Sequence, residues 1–172
     1  MFSGKLLNEL NEQIKWEFYS AQYYLAMAAY CASEDLRGFE NFFLVQAEEE
    51  RFHAMKFYNF INEMGGRAIM KGFEDPNNEF STVTEVFQAA LKHEQFVTQR
   101  IYKLMDLATE EREHATISVL KWFIDEQVEE ESTMNGIVKK LQRFGEDGSG
   151  IMMLDNELSQ RAFTPPVSDP SI

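Results

Sequence analysis

Glu50 and His53 stand one helical turn apart in QAEEERFHAMKFYNFINEM, residues 46–64. Around them Phe39, Phe43, Gln46, Glu50, His53, Phe57, Phe60 and Met64 alternate steps of four and three, the seam that buries one helix against its neighbours. A carboxylate and an imidazole therefore occupy positions where leucines are expected. A lone carboxylate is costly to dehydrate, so a buried Glu needs a partner. A metal ion is the partner that suits a Glu and a His at this spacing.

The same interruption recurs in three further apolar seams. Glu17 breaks Leu7, Leu10, Ile14, Ala21, Tyr24, Ala28 and Cys31. Glu94 breaks Val83, Phe87, Ala90, Val97, Ile101, Leu104 and Ala108. Gln127 and Glu130 break Leu120, Phe123, Met134, Ile137, Leu141 and Phe144. Each break falls near the middle of its seam, and in an up-and-down bundle the midpoints share one level whichever way each helix runs. Six polar side chains thus converge on one buried layer. One constant shift carries Glu17 onto Glu94, Glu49 onto Glu126, Glu50 onto Gln127 and His53 onto Glu130, which reads as a repeated helix pair. Singly, an E-x-x-H is most often a surface accident and a seam Glu a snorkelling residue. Jointly they point to a metal site in the core of a bundle.

Four carboxylates, one imidazole and no thiolate favour iron or manganese over structural zinc. His53 completes a first site with Glu17 and Glu50. A second is left with Glu94, Glu130 and a shared Glu50, with Gln127 as a weak neutral contact. The second site should bind more loosely, which suits ions that are passed onward.

The elements that must position these groups are helices. Ser3 and Gly4 cap a first helix reaching about Ser33. A second runs from about Gly38 to Met64 and stops at Gly65-Gly66. Residues 65–81 lack helical periodicity and are long for a link between antiparallel neighbours, so the spacing predicts a crossover that makes helices two and three parallel. The third helix begins near Thr82 with Glu85 placed for a capping box. The fourth spans about Arg112 to Phe144, a short fifth covers 150–161, and 162–172 form a disordered tail. The expectation is an all-α chain with one domain over 1–161.

Composition agrees. The chain has 172 residues, 44% of them apolar, with only 4 prolines. A net charge of −13 disfavours nucleic acid and anionic membrane and is compatible with cations. The lone Cys31 excludes an internal disulfide framework and a metal centre built from four cysteines, and on its seam it reads as a quiet buried thiol. The N-terminus lacks a signal-peptide apolar core, and no run is long enough to span a bilayer, so a cytoplasmic location is expected.

LNEQIKWEFYSA, QAEEERFHAMKF, KHEQFVTQ and LKWFIDEQVEEE resemble, at matching spacing, the signature segments of the bacterial and archaeal non-haem ferritins, a likeness that covers residues 1–161. The resemblance implies a ferritin-like four-helix bundle with a long crossover and a short fifth helix. It implies a hollow shell of 24 subunits, Fe2+ oxidation by O2 at a di-iron centre, and storage of the ferric mineral inside. It further implies that Glu17, Glu50 and His53 bind one iron and Glu50, Glu94 and Glu130 the other, with Gln127 alongside. Glu49, Glu126 and Glu129 would form a third iron site sharing Glu130, and Tyr24 would lie close to the di-iron centre. A core tyrosine hydrogen-bonded to a carboxylate accounts for Tyr24 equally well. Trp122, off the seam, reads as a packing residue.

Haem is not expected, because Arg51 stands where haem-binding relatives carry Met, and Glu130 stands where they carry His. A second stripe on helix one, Trp16, Tyr19, Tyr23, Met27 and Tyr30, joins Phe42, Val45 and Phe52 on helix two as apolar surface beyond the seam. Part of it should meet another subunit of a homo-oligomer. Glu110, Glu111, Glu113 and Glu131 read as solvated surface.

Overall fold

A computed structural model describes residues 2–145 and 147–165. It contains α1 (Gly4–Ser33), α2 (Arg37–Glu63), α3 (Val83–Glu110), α4 (His114–Phe144) and α5 (Gly148–Leu158), with no strand among the described residues. The chain is all-α, as its periodicity implies.

Local sequence sets the boundaries. The Ser3 hydroxyl accepts the Leu6 N–H at the start of α1, and Thr82 accepts the Glu85 N–H at the start of α3. The Glu85 carboxylate reaches back to the Ser81 N–H at 2.7 Å, one residue further out than a strict capping box. Helix α4 starts two residues later than periodicity suggests. Arg112 adopts a left-handed φ of 55°, and Glu113 serves as the N-cap, taking the Thr116 N–H and hydroxyl. Glu113 is therefore a cap and not free surface. Glu111 and Glu131 likewise accept bonds, from Ser3 and Thr98. Helix α5 ends at Leu158, short of the expected 161. Of the expected tail, 162–165 carry no regular structure, and 166–172 lie outside the described residues.

Cross-helix contacts fix the topology. Glu9 meets Lys103, Gln13 meets Arg100 and Tyr24 meets Glu94, so α1 and α3 are antiparallel. Gln46 meets Glu130 and Phe57 stacks on Phe123, so α2 and α4 are antiparallel. Three-residue links return α1 into α2 and α3 into α4, and α2 and α3 consequently run parallel. The crossover between them climbs along α1. Ile69 donates to Asn11 at 2.6 Å, Lys71 bonds Glu12, Phe73 packs on Tyr19, and Phe80 packs on Tyr23 and Tyr30.

That path narrows one expectation, the apolar stripe left for a second subunit. Tyr19, Tyr23 and Tyr30 are covered by the chain's own crossover and by His93, Trp16 packs on Phe96, and Met27 is wholly buried. Phe42 and Val45 are also buried within the chain, whereas Trp16, Tyr19, Tyr23, Tyr30 and Phe52 stay half-buried and keep some surface open. Because both α3 and the crossover cover α1, its buried face is wider than one seam and takes in Leu6, Gln13 and Ser20.

Helix α5 is pinned by Asp155, whose buried carboxylate accepts the Gly38 and Phe39 N–H groups at 2.8 and 3.0 Å, capping the first turn of α2. A Cβ at Gly38 would collide with the Asp155 carbonyl oxygen, so only glycine permits this approach.

The apolar core is split in two. Tyr24, Phe39, Phe43, Phe87, Met134 and Leu141 belong to one cluster, and Leu10, Ile14, Phe57, Ile101, Leu104 and Phe123 to the other. Between them lies a polar layer.

Candidate metal centre

The layer holds every polar seam residue singled out by the sequence. Glu17, Glu50, His53, Glu94, Gln127 and Glu130 are all buried, Glu17 and Glu50 at 1% exposure. Each sits mid-helix, where steps of three and four aim it at the bundle axis.

Glu17, Glu50 and His53 form the tightest group, with one ligand atom from each lying within 4.8 Å of the others. His53 Nδ1 is 3.5 Å from Glu50 Oε2 and 3.9 Å from Glu17 Oε2. Those two carboxylate oxygens are buried and have no hydrogen-bond partner among the described residues. Orphaned acceptors of this kind are expensive in a protein interior, and two that converge beside an imidazole nitrogen suit a cation.

The orientation of Glu17 is imposed. Arg100 Nε donates to Gln13 Oε1 at 2.9 Å, and Gln13 Nε2 donates to Glu17 Oε1 at 2.9 Å. With Oε1 held, Oε2 is left facing the group. Outer partners that fix a ligand in this way tune a metal site. Sequence reasoning overlooked Gln13 and Arg100, although Gln13 lies one turn from Glu17 and could have been found from that spacing.

Glu94 and Glu130 are held differently. Glu94 accepts the Tyr24 hydroxyl through Oε1 and the Gln127 amide through Oε2, the latter at 3.0 Å. Gln127 also reaches the Glu94 carbonyl and Thr98 Oγ1, so it works as a partner of a carboxylate. Glu130 accepts Gln46 Nε2 at 2.8 Å. The half with His53 is gathered and unsatisfied, whereas the other is satisfied by protein donors. His93, beside Glu94 in sequence, takes no part: it contacts Ser20 Oγ at 2.7 Å, and burial pushes its pKa down to about 4.

Burial and mutual repulsion govern protonation. Burial, then the charge of Glu94, raises Glu50 well above the carboxylate range, and the same two causes lift Glu130 to about 8. Burial raises Glu94 against the hydrogen bonds from Tyr24 and Gln127. Burial alone would keep His53 neutral, but the carboxylates of Glu126, Glu50 and Glu17 outweigh it and raise the imidazole well above its ordinary value. The layer holds protons that a cation would displace. Tyr24 is kept as a neutral phenol by burial and then by Glu94. Cys31 is buried, which pushes its thiol up to about 12 and makes it unreactive, as its seam position suggests.

Glu49, Glu126 and Glu129 lie outside the layer and line a cavity of about 190 Å3 with His53, Glu130 and Trp122. His53 Nε2 is 3.8 Å from Glu126 Oε2, linking the cavity to the buried group. Trp122 packs edge-on against the His53 ring at 5.4 Å and carries Lys56 over its face, so it is a wall of this cavity as well as a packing residue. Arg161, which nothing in the periodicity singled out, bonds Glu49 at 2.7 Å.

Among the described residues no helix is long and apolar enough to cross a membrane. Residues 7–144 match the family model for the ferritin-like domain. The chain is 45% identical over 163 residues to the bacterial non-heme ferritin of Staphylococcus aureus (strain USA300), covering 95% of this chain and 98% of that protein. It is 47% identical, with the same coverage, to the bacterial non-heme ferritin of Staphylococcus epidermidis. Its fold superposes on an engineered closed form of the Archaeoglobus fulgidus ferritin with a TM-score of 0.94 at 43% identity, covering 95% of this chain and all of that one. For the open pore ferritin of the same archaeon the TM-score is 0.93 at 42% identity, with 94% of this chain and 100% of that one covered. The matched family model, these identities and the shared fold show that the chain belongs to the bacterial and archaeal non-haem ferritin family.

Proposed function

We propose that this protein stores iron, oxidising Fe2+ with O2 at paired sites and depositing the ferric product inside a shell built from its own copies. The observation that carries this reading is the pair of buried, partnerless oxygens of Glu17 and Glu50 facing His53. A metal-free structural bundle would have no use for them, since polar groups left unpaired in a core only destabilise it. The ferritin names of the relatives support the reading.

In this account Glu17, Glu50 and His53 hold one Fe2+, and Glu50, Glu94 and Glu130 hold the other, with Gln127 steadying Glu94. Each Fe2+ gives up one electron, and O2 takes both. Four carboxylates balance the charge of two divalent ions, and retention is weaker where neutral Gln127 stands in place of an anionic ligand. Tyr24 anchors Glu94 through its hydroxyl. Glu49, Glu126 and Glu129, with Glu130 shared, offer an ion its next stop. The iron is substrate and cargo. Haem has no role here, given Arg51 and Glu130 at the positions where haem-binding relatives differ.

Loading Fe2+ without oxygen, admitting air and following ferric absorbance tests this. His53→Ala and Glu94→Ala are each expected to slow the initial rate by at least roughly 10- to 100-fold, the loss that follows when only an outer partner of a metal ligand is removed. Oxidation at the parental rate in both variants would reject the assignment.

The shell rests on separate grounds. Leu25, Leu44, Met55, Tyr58, Phe96 and Tyr102 remain exposed on the helices, apolar surface that contacts between copies would cover. A large homo-oligomer, with 24 copies as the family resemblance implies, is expected in sedimentation, and a monomer at micromolar concentration would overturn it.

A further inference from the structure

The segment after α5 returns across the bundle and delivers a cation to the accessory carboxylates. Asn41 Nδ2 holds it by donating to the carbonyls of Leu158 and Arg161 at 3.1 and 2.9 Å. Phe163 packs on Phe52 at 6.1 Å between ring centroids. The Arg161 guanidinium lies 4.4 Å over the Phe42 ring and gives one amino group to Glu49 at 2.7 Å. Its other amino group, Nη1, is buried and has no hydrogen-bond partner among the described residues. Arg161 and Phe163 line the same cavity as Glu49, Glu126, Glu129 and His53.

We infer that Arg161 is a tethered competitor for the accessory carboxylates, occupying Glu49 so that an iron ion stops there only while the guanidinium is displaced. The inference rests on the proposed iron-handling function. A charge-assisted bond to Glu49 must be broken, and a positive charge moved aside, before a divalent ion can take that carboxylate. Nη1 finds no second hydrogen-bond acceptor among the described residues, so displacement breaks one hydrogen bond together with the contact over Phe42. The anchoring of the main chain by Asn41 keeps the guanidinium close enough to return. The cluster then works as a place of transit between the buried pair and the cavity, never as a deep sink.

Equilibrium titration of the full-length protein with Fe2+ under argon, followed by calorimetry, reads the number of ions per subunit and the affinity of each class. The parent should show two tighter ions and a weak third. Arg161→Met keeps an unbranched apolar side chain beside Phe42 and removes the charge, and the third ion should tighten by roughly tenfold or more. Arg161→Lys keeps a charge within reach and should leave the third ion close to its parental affinity. An unchanged third step in Arg161→Met, or the same tightening in Arg161→Lys, overturns the role of Arg161 alone. A parent that binds no tight pair overturns the iron-site reading and this inference with it.

Discussion

Glu50→Ala is expected to abolish paired iron binding and to slow Fe2+ oxidation by on the order of 100-fold or more, beyond the effect of losing a supporting residue. Glu50 is the one carboxylate that both proposed sites share, and its Oε2 is one of the two partnerless oxygens beside His53. The same change should not harm the iron-free fold. Burial, then the charge of Glu94, opposes an ionised Glu50, so removing this dehydrated carboxyl takes away an unpaired buried polar group, and the melting temperature of the iron-free variant should equal or exceed the parent's. Stability held in exchange for lost function is the mark of a binding group. A fall in melting temperature with oxidation intact would mean that Glu50 is structural.

Acidity should act in opposite directions on the empty and the loaded protein. Glu130 titrates at about 8 in the fold, against 4.5 for an ordinary carboxylate. Between those values the folded chain holds a proton that the unfolded chain has released, so stability is greatest at the acid end and is lost as pH rises through the folded value. Glu50 and Glu94 are raised and act in the same sense. His53, also raised, likewise stabilises below its unfolded value and loses that contribution as pH rises through its folded one. Iron binding needs those protons gone, so Fe2+ affinity should climb with pH by roughly tenfold per unit for each proton displaced, the Glu130 share ending at about pH 8. Anaerobic titration in buffers of different ionisation enthalpy counts the protons, and thermal melting of the iron-free protein across the same range gives the opposing trend. An affinity independent of pH would mean that the buried carboxylates are not the ligands.

Much of this molecule is legible in the sequence because a helical seam is a local signal. Every α3 seam position from Val83 to Ala108 is buried, and the polar breaks at Glu17, Glu50, His53, Glu94, Gln127 and Glu130 meet in one layer as spacing implies. The cap at Ser3 and the link that sets α2 parallel to α3 are also local. What escaped is contact between distant parts of the chain. That the crossover takes up part of the aromatic stripe of α1, packing on Tyr19, Tyr23 and Tyr30, has no local signal. Gln13 and Arg100 gain meaning only when α3 comes beside α1. Asp155 shows nothing in its own helix that marks it as the cap of α2. Arg161 follows the last helix, and no periodicity could bring it to Glu49.

The polar layer divides the apolar core into two clusters, a costly arrangement that a bundle built only for stability would avoid. An anomalous-scattering map of a crystal soaked with Fe2+ under argon tests most directly whether metal is the reason for it. The expected result is two peaks inside the bundle, one among Glu17, Glu50 and His53 and the other among Glu50, Glu94 and Glu130. Density confined to surface carboxylates, with none between the two halves of the core, would contradict it.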